Sequence, residues 1–406
     1  METQAQLLAS NGNEAAAPER LPVGALLALA TAVFITSLTE TLPAGVLPAM
    51  GSDLGVNESA IGQTVTIYAI GTALTAIALA KATSRWRRRP LLLFTMSIFA
   101  AANTVTAISD QFAITIIARF FAGVAAGLAW AMLAGYARRM VAAPLRGKAI
   151  ALVMAGIPVA LALGVPAGTY IGDVLDWRSA FLAMTALTIV LLIWIALFVP
   201  DFVGTEAGAG TSLRSTLKIP GVTPVLAVTL LFVLAHTILY TYIATYLDDI
   251  GLGKSVDLVL LAFGAASLLA IWGTGLLIHL RLRLLSIAST AFVIGAVGAL
   301  ALFHEQPILV YAAVAMWGLG WGGIPTLLQT AVADAAKHAA DTAQAVLVTL
   351  WNVAMALGGI IGGVLLAGLD TMALPWSVIA ILVPTLAIVA AAYSGFPNKS
   401  KALGRL

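Results

Sequence analysis

The chain has 406 residues, of which 61% are hydrophobic and 10% are charged. A soluble globular domain carries about 25% charged residues, so the composition excludes an ordinary soluble protein and indicates an integral membrane protein. The sequence contains no cysteine, which excludes disulfide bonds, thiolate metal ligands and cysteine nucleophiles.

The first segment, residues 1–21, is polar and alanine-rich and lacks the basic start and short apolar core of a cleaved signal. We predict a disordered cytoplasmic tail there. Twelve hydrophobic stretches follow, numbered here as spans 1 to 12: 22–49, 60–80, 90–108, 112–137, 147–171, 179–199, 222–247, 257–280, 284–303, 307–333, 341–369 and 375–394. Each can cross the roughly 30 Å of hydrocarbon as a helix, because about 20 residues suffice, whereas a barrel would require short alternating strands. The predicted fold is an all-α membrane protein with twelve transmembrane helices.

The spans divide into two groups of six around a stretch rich in Pro, Gly, Ser and Thr at residues 200–221. We interpret this stretch as a cytoplasmic linker between a bundle at 22–199 and a bundle at 222–394, with a cytoplasmic tail at 395–406. The two halves have similar sequence segments, since VALALGVPAG from Val159 resembles VAMALGGIIG from Val353. Duplicated halves place a substrate site near the middle of the membrane at their interface.

The basic residues are distributed unequally between the two sides of the membrane. If the amino terminus is inside, each of the 21 Lys and Arg residues lies in an inner segment except Arg119, Arg178 and Lys254. The positive-inside rule then predicts that both termini are cytoplasmic. This orientation accounts for the formal charge of +3 without a nucleic-acid partner.

Two charged side chains, Glu40 and Arg119, fall well inside the hydrophobic runs. An ionised group at bilayer depth costs at least a few kcal/mol unless it is paired or faces water. Glu40 lies eight residues before Pro48 at the outer end of span 1. Arg119 lies eight residues after Gln111 at the outer start of span 4, so both are about 12 Å below the outer surface. Equal depth permits either a static ion pair that only fixes packing or shared access to one water-filled cavity, in which Glu40 would couple protons to transport.

Four stretches are similar to motifs of one family. SLTETLPAGVLPAMGSDLGV, which contains Glu40, resembles a first-span signature with an acidic residue before Gly-x-Leu-Pro, and RFFAGVAAG resembles a fourth-span motif built on a buried arginine, here Arg119. ALALGVPAGTYIG resembles the antiporter motif of span 5, and DWRSAF resembles the start of span 6. The chain therefore resembles the major facilitator superfamily, specifically its twelve-span drug:proton antiporters and, among them, the sugar-efflux or arabinose-efflux-like group. The resemblance covers about residues 22–395.

The resemblance implies conformational roles for two further sets of residues. These are Gly164, Pro166, Gly168 and Gly172 in span 5, and Arg85, Arg88 and Arg89 in the basic loop between spans 2 and 3. In that loop Ser84 stands where the family has Asp, and Ala80 where it has Gly. The four-residue glycine spacing in spans 5 and 11 also allows close helix approach. We expect both helices to move at the interface between the halves.

Candidate substrate contacts are the polar and aromatic side chains inside the spans: Trp130, His236, Tyr240, Asn103, Gln329 and Asn352. Trp130 shares a helical face with Arg119, and His236 shares one with Tyr240 near the middle of span 7. Each has a structural alternative, because tryptophans pack between helices and amides or histidines link neighbouring helices. Trp317 and Trp321 lie one turn apart on span 10, a spacing that favours packing.

These patterns predict a secondary transporter that exports a small organic solute, a sugar, nucleoside or amphipathic drug, in exchange for protons by alternating access. The expected partners are the solute, protons and the lipid bilayer of a bacterial cytoplasmic membrane, with the protein as a monomer. A symporter or facilitator on the same fold is the first alternative. An intramembrane enzyme would need a nucleophile–base pair or a metal-ligand cluster inside the spans. The sequence has only four histidines and offers no such group, so we expect no cofactor, no metal and no enzymatic activity.

Overall fold

The structure, a computed structural model, describes residues 21–204 and 212–396. The rest of the predicted tails and linker, residues 1–20, 205–211 and 397–406, lies outside the described residues. The twelve spans are Val23–Asp53, Glu58–Ala82, Arg88–Ile108, Phe112–Arg139, Lys148–Val174, Trp177–Phe198, Val222–Thr241, Gly253–Ile278, Arg281–Leu302, Pro307–Ala336, Thr342–Gly368 and Ala373–Ala391. The predicted all-α membrane fold with twelve transmembrane helices is confirmed.

Three spans are interrupted near their middle or end. Span 5 contains a π-helical turn at Ala160–Gly164 between Pro158 and Pro166, because proline cannot donate the backbone bond that a regular helix requires. Span 7 breaks at Tyr242 and continues as Ile243–Asp249. The segments of span 10 are Pro307–Gly322 and Ile324–Ala336, with the break at Gly323. Discontinuous helices are typical of transporters, in which they border the substrate site.

Residues next to the helix ends determine where several helices begin or end. Asn57 caps span 2, since its side chain accepts a bond from the Ala60 N–H at 2.8 Å. Gly55 and Gly251 turn the chain with positive φ angles of 65° and 81°, a conformation that glycine adopts at little cost. These turns lie on one face of the bundle, called here the distal face. The opposite face, which carries both ends of the described chain, is called the terminal face.

The hydrophobic core is divided unequally between the halves. One cluster fills the terminal part of the first half, around Phe99 and Tyr136. The other fills the second half and continues into the distal parts of spans 1 and 6, where it includes Leu42 and Trp177. The two halves therefore share one packed core toward the distal face.

A tyrosine fixes this distal contact. Tyr242 is fully buried, and its hydroxyl donates to the Gly359 carbonyl of span 11 at 2.9 Å. A Cβ atom on Gly62 of span 2 would overlap the Tyr242 ring, and one on Gly363 would meet its hydroxyl. Gln63 of span 2 also donates to the Gly359 carbonyl, at 3.5 Å. These five residues, called here the distal seal, let span 2 of the first half approach spans 7 and 11 of the second closely.

Candidate functional site

Arg119 of span 4 is the most deeply buried charge in the first half, with no exposed surface. Its Nε donates to the Thr64 carbonyl at 3.3 Å. Its guanidinium carbon lies 4.9 Å from the centre of the Tyr68 ring, within the range of a cation–π interaction. Nη1 and Nη2 have no hydrogen-bond partner among the described residues. Buried polar groups are costly unless they are satisfied, so these two nitrogens mark a position for water or an anionic group.

Glu40 of span 1 is half-buried and belongs to the same polar group. Its charge interacts with that of Arg119, yet no ion pair joins the two side chains among the described residues. Tyr68 of span 2 contacts both helices: its hydroxyl donates to the Thr36 carbonyl of span 1, one turn before Glu40, at 3.1 Å, and its ring lies beside Arg119 of span 4. Glu40, Tyr68 and Arg119 are called here the acid–arginine site. Spans 1, 2 and 4 each contribute one of its residues, and its two charges are not locked together.

The second half presents a group of aromatic rings from four helices, called here the aromatic cluster. Its members are Phe232, His236 and Tyr240 of span 7, Phe263 of span 8, Trp317 and Trp321 of span 10, and Trp351 of span 11. The rings of His236 and Trp321 stack with their centres 3.4 Å apart and their planes at 7°. Tyr240 lies 5.0 Å from His236, and Trp317 meets His236 edge-on at 5.2 Å. The structure thus places Trp317 and Trp321 in the same cluster as His236 and Tyr240, two predicted substrate contacts. The spacing of the two tryptophans in the sequence favoured a packing role.

Two polar atoms of the aromatic cluster are buried without partners. His236 is 7% exposed and Trp317 is 1% exposed. His236 Nδ1 and Trp317 Nε1 make no hydrogen bond with any described residue. The structural alternative for His236 was a hydrogen bond to a neighbouring helix. Among the described residues, Nδ1 makes no such bond.

The other predicted substrate contacts are not gathered in one place. Asn103 is fully buried and donates to the Thr39 hydroxyl at 3.2 Å, which links spans 1 and 3. Trp130 is half-buried against the core of the first half. Gln329 is exposed on span 10 beyond the break, about 12 Å from Trp321 along the helix. Asn352 bonds to the Val348 carbonyl of its own helix at 2.9 Å and follows Trp351 of the aromatic cluster in sequence.

The span 5 glycines pack against another helix of the same half. Cβ atoms on Gly164, Gly168 and Gly172 would meet Phe34, Leu42 and Val46 respectively, all on span 1 of the same half. Four-residue spacing places the glycines on one helical face, and that face is turned toward span 1. Pro166 is buried next to the π-helical turn. Span 5 instead meets the second half through Ala162, which lies against Gly264. Span 5 thus borders the second half, and the conformational role of its glycines stays a prediction.

The basic loop between spans 2 and 3 is held by Asp201, a residue that the sequence analysis assigned to the linker. Asp201 accepts bonds from Arg87 Nε at 2.5 Å and from the Arg89 N–H at 3.0 Å. Desolvation raises the pKa of the Asp201 carboxyl, but these bonds outweigh it and hold that pKa below its usual value. Arg88 donates to the Ser84 carbonyl at 2.8 Å. Asp201 thus supplies a carboxylate to a loop in which Ser84 replaces the family's Asp.

Sequence reasoning also missed Tyr68 and Tyr242. Counting residues from the end of the helix could have found Tyr68. It lies ten residues into span 2, about 15 Å from the distal end of that helix. This depth is close to that of Arg119. Tyr242 carries no local signal, because its role depends on glycines of two other helices. Among the described residues, no group of three or more His, Cys, Asp or Glu could hold a metal ion.

Comparison with known proteins identifies the family. The model of the Major Facilitator Superfamily matches residues 29–359. The MFS-type transporter YfhI of Bacillus subtilis (strain 168) is 31% identical over 340 residues, which cover 82% of this chain and 85% of that protein. For YtbD of the same organism, another MFS-type transporter, the identity is 30% over 368 residues, covering 87% and 91%. The purine ribonucleoside efflux pump NepI of Escherichia coli O1:K1 / APEC is 26% identical over 344 residues, covering 84% and 86%.

A solved structure agrees with this assignment at the level of the fold. The crystal structure of the human organic anion transporter MFSD10 (TETRAN) matches with a TM-score of 0.68 over 91% of this chain and 100% of that one, at 14% identity. The family match spans most of the sequence, and the twelve helical spans agree with it. The chain therefore belongs to the Major Facilitator Superfamily and is a multi-pass membrane transporter, not an enzyme.

Proposed function

We propose that this transporter exports a small organic solute across a bacterial cytoplasmic membrane in exchange for protons, with Glu40 as the proton-coupling carboxylate and Arg119 as its cationic partner. The supporting observation is the acid–arginine site. A half-buried carboxylate interacts electrostatically with a fully buried guanidinium. Among the described residues no ion pair joins the two, and two guanidinium nitrogens have no hydrogen-bond partner. Protonation of such a carboxylate depends on its access to water and on its distance from the cation. A change in either during the cycle couples proton movement to solute movement.

The distal seal supports an inward-facing conformation in this proposal. If both termini are cytoplasmic, the distal face is the outer face, and Tyr242 closes it against the span 2 and span 11 glycines. In the inward-facing state Glu40 releases its proton to the cytoplasm and the solute binds. In the outward-facing state Glu40 takes up a proton and the solute leaves.

The solute site in this proposal lies between the halves and includes His236, Tyr240, Asn352 and Trp130. The aromatic cluster supports the first two, because it lies near the middle of spans 7 and 10. The relative NepI is a purine ribonucleoside efflux pump, which supports nucleosides among the candidate solutes, beside sugars and amphipathic drugs.

Reconstitution into proteoliposomes tests the exchange. We expect an imposed pH gradient to drive at least one of a nucleoside, a pentose and a phenicol uphill, in the direction opposite to the protons, and a protonophore to stop this movement. Movement of the solute in the same direction as the protons would indicate a symporter. Solute equilibration that ignores the gradient would indicate a facilitator.

The orientation has its own test, because the chain contains no cysteine. Ser212→Cys, before span 7, and Glu305→Cys, in the loop before span 10, each introduce one exposed thiol on opposite faces. In intact cells an impermeant maleimide should label the variant at position 305, and it should label the one at 212 only after permeabilisation. The reverse pattern would show that the termini are outside.

A further inference from the structure

A pocket of about 180 Å³ opens among the ends of spans 2, 3 and 4 at the terminal face. It is separate from the acid–arginine site, because its deepest residue on span 4, Leu128, lies about 13 Å along the helix from Arg119. Its volume is well above the roughly 10–15 Å³ that one water needs, so a group larger than water fits inside. Trp86, in the basic loop beside the pocket, is 56% exposed. Tryptophan is enriched at the level of lipid headgroups, which places the mouth of the pocket at that depth.

The pocket is apolar toward the middle of the membrane and polar at its mouth. Leu128, Ala131 and Met132 of span 4 line the deeper part, whereas Tyr136 and Arg139 of the same helix line the part near the terminal face. The stretch from Leu128 to Arg139 covers about 16 Å of helix. A ligand that matches this gradient has a polar head and an apolar body, as a membrane lipid has.

Two arginines, Arg88 of span 3 and Arg139 of span 4, line the mouth of the pocket. Each is half-buried, and their positive charges repel one another. Arg88 Nη2 donates to the Ser84 carbonyl at 2.8 Å, and Arg139 Nη1 donates to the Val203 carbonyl at 2.7 Å. A carbonyl is neutral, so these two bonds orient the guanidinium groups without cancelling the repulsion. An anionic group placed near both arginines offsets it.

The start of the linker, residues 200–203, holds the mouth of the pocket in place. The Arg88 N–H donates to the Phe202 carbonyl at 2.9 Å, and the Tyr136 hydroxyl donates to the Pro200 carbonyl at 2.6 Å. The rings of Tyr136 and Phe202 also pack edge to face, with their centres 5.5 Å apart. These contacts tie the ends of spans 3 and 4 to one segment. A site that is fixed before its ligand arrives loses little entropy on binding.

An acid in this segment, Asp201, leaves the mouth of the pocket basic. Its carboxylate accepts bonds from Arg87 Nε and from the Arg89 N–H, which are not among the residues that line the pocket. The described lining includes two arginines and no acid. A guanidinium presents a planar fork of N–H donors that matches the oxygens of a phosphate group. The mouth therefore has the charge and the donors that a phosphate group requires.

We infer that this pocket binds an anionic membrane phospholipid, with the phosphate group between Arg88 and Arg139 and part of an acyl chain against Leu128, Ala131 and Met132. Basic pockets between transmembrane helices suit acidic headgroups. The apolar deeper part selects a lipid over a free phosphate ion, because a free ion finds no polar partner there. The inference goes beyond the proposed export function and does not depend on it.

Native mass spectrometry of the purified full chain resolves the binding of successive lipid molecules and tests the inference. We expect the first phosphatidylglycerol to bind roughly tenfold more tightly than phosphatidylcholine with the same acyl chains, because two basic residues hold its headgroup. Arg88→Gln should weaken that step roughly fivefold, the contribution of one basic residue at an anionic lipid surface, and should leave phosphatidylcholine binding unchanged.

A second variant fills the pocket without touching its charges. Gly135 lines the pocket, and a Cβ atom there meets no heavy atom within 4 Å. Gly135→Phe therefore places a ring in the pocket without a clash, and glycine is the poorer helix former of the two, so the protein should fold. We expect this variant to lose the preference for phosphatidylglycerol.

Matched controls separate the pocket from general effects of charge and size. Arg138→Gln removes an exposed charge of span 4 outside the pocket lining. Gly275→Phe adds a ring at an exposed glycine of span 8, where a Cβ atom also meets nothing within 4 Å. Both should bind phosphatidylglycerol like the parent.

Three outcomes would overturn the inference. The first is equal binding of the two lipids by the parent, and the second is binding of phosphatidylglycerol at the parent strength by either Arg88→Gln or Gly135→Phe. The third is displacement of phosphatidylglycerol by an excess of inorganic phosphate, which would identify a soluble phosphate as the ligand in place of the lipid.

Discussion

Glu40→Gln is expected to abolish pH-driven uphill export while leaving solute binding largely intact. Glutamine has nearly the same shape as glutamate but does not titrate, so the protein can still open and close around the solute and can no longer exchange it for a proton. Export from proteoliposomes with an imposed pH gradient should fall to background. Solute counterflow without a gradient should persist.

The matched control for this experiment is Glu305→Gln, which neutralises an exposed loop carboxylate and should export at the parent rate. Arg119→Ala should be worse than Glu40→Gln in both transport and protein yield. It removes the cation near Glu40 and the contacts with Thr64 and Tyr68, and a carboxylate without a nearby cation is costly inside the membrane. Uphill export by Glu40→Gln at the parent rate would remove Glu40 from the coupling mechanism and leave a purely structural role for the acid–arginine site.

Opening of the distal seal is the second large effect expected. Tyr242→Ala removes a fully buried ring and its bond to the Gly359 carbonyl, and deletion of a large buried aromatic side chain costs about 3–5 kcal/mol. This loss of free energy destabilises the conformation in which the distal seal is closed. Because about 1.4 kcal/mol corresponds to a tenfold change in a two-state equilibrium, we expect a shift of at least tenfold toward the distally open state and a matching loss of transport rate.

A single thiol reports this shift. Thr66 is 3% exposed and lies against Gly359, so Thr66→Cys should react slowly with an impermeant maleimide added to intact cells and at least tenfold faster when Tyr242→Ala is also present. Tyr246→Ala is the matched control, because Tyr246 is equally buried but bonds to the Leu300 carbonyl within the second half. It should lower stability without raising the labelling rate at position 66. Equal labelling rates with and without Tyr242 would contradict the seal.

The twelve spans could be predicted from the sequence alone. Membrane insertion depends on the length and apolarity of each run, which are local properties. The depth of Glu40 and Arg119 follows from counting residues at a constant helical rise. Stacking of His236 with Tyr240 also follows the helical repeat, since the two residues are one turn apart on span 7.

The partners of each helical face were decided only by the tertiary structure. A span that is apolar all round carries no periodic signal for the side that meets another helix. The sequence therefore could not predict that the span 5 glycines pack against span 1, or that Trp317 and Trp321 contact His236. Asp201 and Tyr242 illustrate the same limit, because the first acts through arginines more than one hundred residues away and the second through glycines of two other helices. Hydrophobicity specifies where helices cross the membrane, whereas steric fit between helices selects the side chains that meet at the site.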